Sequence, residues 1–290
     1  MAPSRSAGKF GSIRGDLPFL KDRIDFWLTR VPSLYLAVER RREWTNWDKR
    51  VYLSFIRKGD VVVDIGANVG AHTVFFSHLV GPHGRVISFE PVAENLFALR
   101  ALIAKRARFD NITVIDAALA APDFAGGEAE IVAPVHDLTQ ASLRAHRAGS
   151  WEVDSDMRRF PCRIARGDEE PELRSLDRIG FMKIDVEGGE LDAMKGSEQS
   201  ISRHCPLLYC EVYEKWTRSF GYAPNDLIMY VASLGYVGAR VISRGSVYPL
   251  KLKSAAPDAW FETSSDVLFF HKSHEKAVRR FDRRYGVNGL

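Results

Sequence analysis

Five carboxylates stand where five runs of β-forming residues end: Asp64 after VVV, Glu90 after RVISF, Asp116 after NITVI, Asp185 after FMKI and Glu211 within LLYCEV. Ligands of open α/β sheets bind outside the carboxyl ends of the strands, so acids in these positions converge on one crevice. One or two would be ordinary strand-end polarity; five favour a functional crevice. Such acids can accept the protons of ribose hydroxyls, hold an ammonium group, or orient and deprotonate an acceptor hydroxyl.

The turn after the first run narrows the ligand. Residues 61–70, VVVDIGANVG, read as a buried parallel strand and a tight turn, with AHTVFFSHLV following as a helix. The glycines fall at Gly66 and Gly70 after Asp64, so the pattern is D-x-G-x-x-x-G rather than the G-x-G-x-x-G that cradles a pyrophosphate. A carboxylate before the turn suits an ammonium group and repels phosphate. S-adenosylmethionine has that ammonium and no phosphate. Gly66 is expected to let the backbone approach this ligand, and Gly70 to open the helix.

Glu90 follows Asp64 at close to the spacing at which an acid meets a ribose in dinucleotide folds, and Pro91 fixes the turn beneath it. Asp116 is placed beside the adenine. Asp185 and Glu187, in KIDVEG, are the candidates for orienting or deprotonating an acceptor hydroxyl, although Glu187 can equally serve the start of the helix at Gly188. Glu211 joins them as a catalytic candidate, and Lys183 shares a strand face with Asp185 as an ion-pair partner. A magnesium ion shared by Asp185 and Glu211 is a further candidate cofactor. His72 and His136 are the remaining possible bases.

The elements that must position these groups alternate. A helix from about Ala71 ends at Gly81-Pro82, a second starts at Val92, and strands are expected over 85–90, 111–117, 181–185 and 207–212, with a final antiparallel pair over 235–242 and 266–271. Between 120 and 175 the helical pattern lapses. EAEIVAP and FPCRIAR suggest a β excursion with a mobile piece between, where acceptor recognition is expected. Residues 1–56 form an N-terminal extension: fifteen loose residues, then aromatic-rich helices broken at Pro32–Ser33, acting as core filler or as a lid. Residues 57–290 are the main domain.

The blocks VVVDIGANVGAHTVFF, VISFEP with Asn95, FMKIDVEGGELDAMKG and LLYCEVYEK resemble the FkbM family of S-adenosylmethionine-dependent methyltransferases, most of them O-methyltransferases. The resemblance spans roughly 58–270. It implies an α/β class I methyltransferase (Rossmann-like) fold with a seven-stranded, mostly parallel sheet whose last strand is antiparallel. Asp64, Gly66, Asn68, Gly70, Thr73, Glu90 and Asn95 match the family's cofactor positions, while Asp116 stands where many relatives carry Asn.

Composition agrees with a globular enzyme, 46% apolar and 27% charged. No run of about 18 apolar residues and no signal-peptide core occur, so the expectation is a cytoplasmic protein, at most peripheral to a membrane. Three cysteines without a C-x-x-C pair argue against a disulfide scaffold or zinc site. The net charge of +4 is uneven: +5 over residues 1–50, +4 over 271–290 and −5 between. Basic ends leave open an RNA methyltransferase, but the N-P-P-Y motif of amino-directed base methylation is missing and nucleic acid is disfavoured as a partner. A non-catalytic cofactor-binding module is the third reading. The expected acceptor is a glycan hydroxyl or that of another small molecule.

Overall fold

A computed structural model describes residues 27–31, 34–35, 37–38, 47–124, 127–146, 151 and 156–287. The expected loose first fifteen residues, the break at Pro32–Ser33 and the centre of the mobile piece lie outside them. The sheet begins with β1 (Val61–Ile65), β2 (Arg85–Phe89) and β3 (Ile112–Ile115). A second, small sheet holds β4 (Ala118–Leu119), β5 (Gly127–Pro134) and β6 (Met157–Ala165), and the main sheet resumes with β7 (Phe181–Ile184), β8 (Leu207–Val212), β9 (Tyr236–Ser243), β10 (Ser246–Lys251) and β11 (Ser265–His271). The main order is β10-β9-β11-β8-β7-β1-β2-β3. Strands β3, β2, β1, β7 and β8 run parallel; β11 is antiparallel to both β8 and β9.

The sheet therefore has eight strands where seven are expected from the sequence. The extra one, β10, returns from β9 as an edge hairpin, and Pro249 sits in it because an edge strand can forgo a backbone donor. The small sheet, order β4-β6-β5, is the β excursion.

Alternation along the strands builds two cores. Val63, Ile65, Ile87, Met182, Ile184 and Leu208 face one side, against α4 (Glu190–Lys195), α5 (Glu198–His204) and α7 (Pro224–Ser233). Val62, Val86, Phe181, Leu207 and Tyr209 face the other, against α1 (Trp47–Phe55), α2 (Ala71–Val80) and α8 (Glu275–Tyr285). Helix α3 (Ala93–Arg106) packs Leu96 and Leu99 under Ala67, and α6 (Glu214–Ser219) follows β8. Of the aromatic N-terminal residues, Tyr35 is fully buried and meets Phe75 edge-on, whereas Trp27 is largely exposed. Among the described residues no helix is long and apolar enough to cross a membrane.

Candidate active site

The strand order reverses between the adjacent β1 and β7, and the turns at the carboxyl ends of β1, β2, β7 and β8 wall a cleft there. The turn after β1 is built on positive φ: Gly66 at 83°, Asn68 at 50° and Gly70 at 89°. Both glycines are dictated by packing. A Cβ on Gly66 would lie 1.8 Å from the Asp185 carbonyl oxygen, and one on Gly70 would lie 2.3 Å from Leu99 Cδ1. Gly66 allows a close approach to the chain after β7, and it also lines the cleft.

Glu90, one residue beyond β2, ties this turn to the start of α3. Its Oε2 accepts from the Asn68 amide at 2.8 Å, and its Oε1 accepts from the Val92 amide at 3.0 Å and from Asn95 Nδ2 at 3.2 Å. Burial raises its pKa despite these three donors. Glu90, Asn68 and Asn95 all line a cavity of about 310 Å³. Phe89, Val92, Leu119, Ile131 and Leu138 make its apolar side, the last two from the small-sheet insertion.

Opposite stand Asp185, Glu187 and Glu211, with a carboxylate oxygen from each lying within 4.8 Å of the others. Among the described residues, Lys183 is the only Lys or Arg in the wall. Its Nζ donates to Asp185 Oδ2 at 2.8 Å. Burial works against the Asp185 charge, but Lys183 outweighs it and holds the carboxyl below its ordinary pKa. For Glu187, burial, then Glu211 and Asp185, outweigh the opposing pull of Lys183 and push it up to about 10. Glu211 is pushed up to about 8 by burial and by Asp185, while Ser264 donates to it. Burial and Lys183 lower the pKa of His72, which also lines the cavity, while His136 is exposed and does not.

Four expected site residues lie elsewhere. Asp64 is one residue short of the end of β1, on the sheet face that α1 and α2 cover, and it is not among the residues lining the cavity. There it is fully buried and accepts from Thr73 Oγ1 at 2.6 Å. Its Oδ2 is engaged by Thr73, which is equally buried. Gly70 lies behind the wall. Asp116, just past β3, is exposed and outside the cavity lining, so it does not reach an adenine placed there. The sequence signal for Asp64 was present but misread: Ser88, Asp64, Lys183 and Tyr209 are successive register partners across β2, β1, β7 and β8. They form one polar row under the helices.

Glu190 was missed. In the first turn of α4, it accepts from the amides of Val186 at 3.1 Å and Gly188 at 3.0 Å and so shapes the turn that carries Glu187. An acid just after the Gly188-Gly189 pair is the mark that would have found it.

The model of the Methyltransferase FkbM domain matches residues 64–237, more than half of the chain. The chain belongs to the FkbM methyltransferase family. Methyltransferase sdnD of Sordaria araneosa is 24% identical over 54% of this chain and 67% of its own length. The 31-O-demethyl-FK506 methyltransferase FkbM of Streptomyces tacrolimicus is 29% identical over 55% and 67%. A solved FkbM methyltransferase from Methylobacillus flagellatus is 16% identical, covering 87% of this chain and 60% of that one, with a TM-score of 0.42.

The FkbM assignment implies S-adenosylmethionine, and the cavity's donor set fits it. An apolar wall suits an adenine and Glu90 with Asn95 suits a diol. Three carboxyl groups around Lys183 give a sulfonium and an ammonium oxygens to face, and a cation beside them favours the ionised forms of Glu187 and Glu211. A pyrophosphate would meet Glu90 and the three acids instead. Asp185, Glu187 and Glu211 lie close enough to share a cation, but Asp185 is already engaged by Lys183, and magnesium has no further support.

Proposed function

We propose that this methyltransferase places the methyl group on a hydroxyl of a glycan or other small-molecule acceptor. The observation that carries this reading is the Asp185–Glu187–Glu211 cluster at the ends of β7 and β8, facing the cavity that the Gly66 turn and Glu90 also line. S-adenosylmethionine supplies an electrophilic methyl, so what remains for the protein is to align an oxygen and receive its proton. Asp185, kept ionised by Lys183, accepts the hydroxyl hydrogen bond and orients the oxygen. Glu211 and Glu187 lie within reach of the same proton. Beside a cation their repulsion is relieved, and either carboxylate then takes it. The three acids rather than the histidines carry this role, because His72 leans on the Tyr52 ring with centroids 5.5 Å apart and sits beside Lys183.

The Streptomyces relative is named for 31-O-demethyl-FK506, a substrate lacking a methyl on oxygen, which favours the same class of acceptor here. The cofactor-side residues in this reading are Gly66, Asn68, Glu90 and Asn95. The test is transfer of a labelled methyl group from S-adenosylmethionine to a panel of polyhydroxylated acceptors, with RNase-treated and untreated extracts alongside. Label on small-molecule oxygen, lost in Asp185→Asn, supports the reading; RNase-sensitive label overturns it.

A further inference from the structure

Glu187 is held in a left-handed conformation, φ 54°, that a side-chain-bearing residue adopts only when its surroundings impose it. On one side Glu190, in the first turn of α4, accepts from the amides that flank Glu187; on the other Glu187 is held by the insertion, 41 and 45 residues earlier in the chain. The Glu187 carbonyl accepts from Ser142 Oγ at 2.8 Å and meets His146 Nε2 at 2.9 Å. A carbonyl only accepts, so Nε2 bears the ring hydrogen; Nδ1, 3.0 Å from Ser219 Oγ, then accepts from that hydroxyl.

His146 is buried and neutral. Burial lowers its pKa to about 4, although the hydrogen bond to Glu187 opposes the shift. Its ring is clamped by Trp216 at 4.3 Å and Trp151 at 5.2 Å. Ser142 is fixed in turn by two 2.9 Å backbone hydrogen bonds to Val132 of β5. With its carbonyl pinned outward on these two donors, the Glu187 side chain is committed to the cleft, where Asp185 and Glu211 from β7 and β8 face it, with Lys183 beyond.

Ser142 also lines the cavity, as do Leu138 and Leu143 beside it. The stretch that lines the cavity at Leu138, Ser142 and Leu143 is therefore also the one that holds the Glu187 carbonyl.

We propose that His146, assisted by Ser142, is a positioning residue that aims the Glu187 carboxylate at the reacting centre through the Glu187 main chain. The proposal rests on the reading of that cluster given above.

The test uses the full chain and two probes, S-adenosylmethionine, which carries the sulfonium, and S-adenosylhomocysteine, which does not. Calorimetry gives both dissociation constants for the wild type, His146→Phe, His146→Gln, Glu187→Gln and the double variant His146→Phe/Glu187→Gln. Phe keeps the ring between the tryptophans and removes the donor; Gln restores a donor.

The expected result is a roughly five- to tenfold loss of preference for the sulfonium in His146→Phe and the same in Glu187→Gln. The double variant should lose no more, and His146→Gln should recover to within about twofold. A merely structural histidine would lower both affinities together, or add its loss to that of Glu187→Gln, and either result overturns the proposal. Should His146→Phe fail to fold, Ser142→Ala removes the other donor to the same carbonyl, and an unchanged preference there also overturns it. Absence of S-adenosylmethionine binding in the wild type is a different failure, that of the cofactor assignment itself.

Discussion

Lys183 and Asp185 are two residues apart on one strand end, and their side chains meet at 2.8 Å with Nζ almost wholly enclosed. The pair divides the acid cluster into one carboxylate that is held charged and two that are not. That division predicts distinct responses to mutation and to pH.

Replacing Lys183 by Met leaves Asp185 among other acids without its cation. The expected loss is about 2–3 kcal/mol, at the low side for a buried pair because Asp185 is partly exposed. The sign follows from Asp185, whose folded pKa lies below its unfolded value of about 3.9. Its stabilisation is present above that value and is lost as pH falls through the folded one. Urea denaturation should therefore show a gap between wild type and Lys183→Met that is full at neutral pH and closes in acid. A gap that persists undiminished to the lowest workable pH would contradict the pairing.

Glu187 and Glu211 predict the opposite slope. Unfolded, both ionise near about 4.3; folded and ligand-free, they hold protons to about 10 and about 8. Between those limits the folded state binds more protons, so stability falls as pH rises. The ligand-free protein should be measurably more stable at about pH 6 than at about pH 8.5, and Glu211→Gln should flatten that dependence. A rising stability over the same range would mean the two carboxylates are not desolvated together.

Gly66→Ala should be among the most damaging single-methyl changes in the chain. Its Cβ would overlap the Asp185 carbonyl oxygen at 1.8 Å, on a backbone with φ 83°. A loss of about 2–4 kcal/mol is expected in thermal or urea unfolding, together with weakened cofactor binding. A neutral outcome would show that β1 and β7 part more freely than their register implies.

The two acids once grouped as cofactor contacts should separate in a binding assay. Glu90→Gln weakens the ties to Asn68 and Val92 and loses a diol partner, so S-adenosylmethionine affinity should fall about thirtyfold or more. Asp64→Asn should keep the affinity within about threefold and instead lower stability, because the buried Asp64 answers to Thr73. Equal losses of affinity from both would return Asp64 to the cofactor.

Asp64 also shows where sequence reading stops. The strand, turn and helix around it are legible from VVVDIGANVG, and so is the parallel order, because β-branched runs and Gly turns are local signals. Which face a strand-end acid takes depends on one residue of register, and VVVD alone does not fix where β1 ends. Glu90 and Asp185 follow the last residues of β2 and β7, where side chains reach the cleft whatever the pleat, and Glu211, one residue inside the end of β8, also lines it. Strand β10 escaped because Pro249 argues against a strand unless its edge position is known. Ser142 and His146 were invisible for another reason: their partner is a main-chain carbonyl forty residues away, and no periodicity records such a contact.

The most direct test of the account is transfer from S-adenosylmethionine carrying a carbon-13 methyl, with the product's methyl located by NMR. The wild type should place the label on a hydroxyl oxygen of an RNase-resistant small molecule or glycan. Asp185→Asn should slow that step by about a hundredfold or more while still binding the cofactor. Label on nitrogen or carbon, or undiminished transfer by Asp185→Asn, would contradict hydroxyl methylation by the acid cluster.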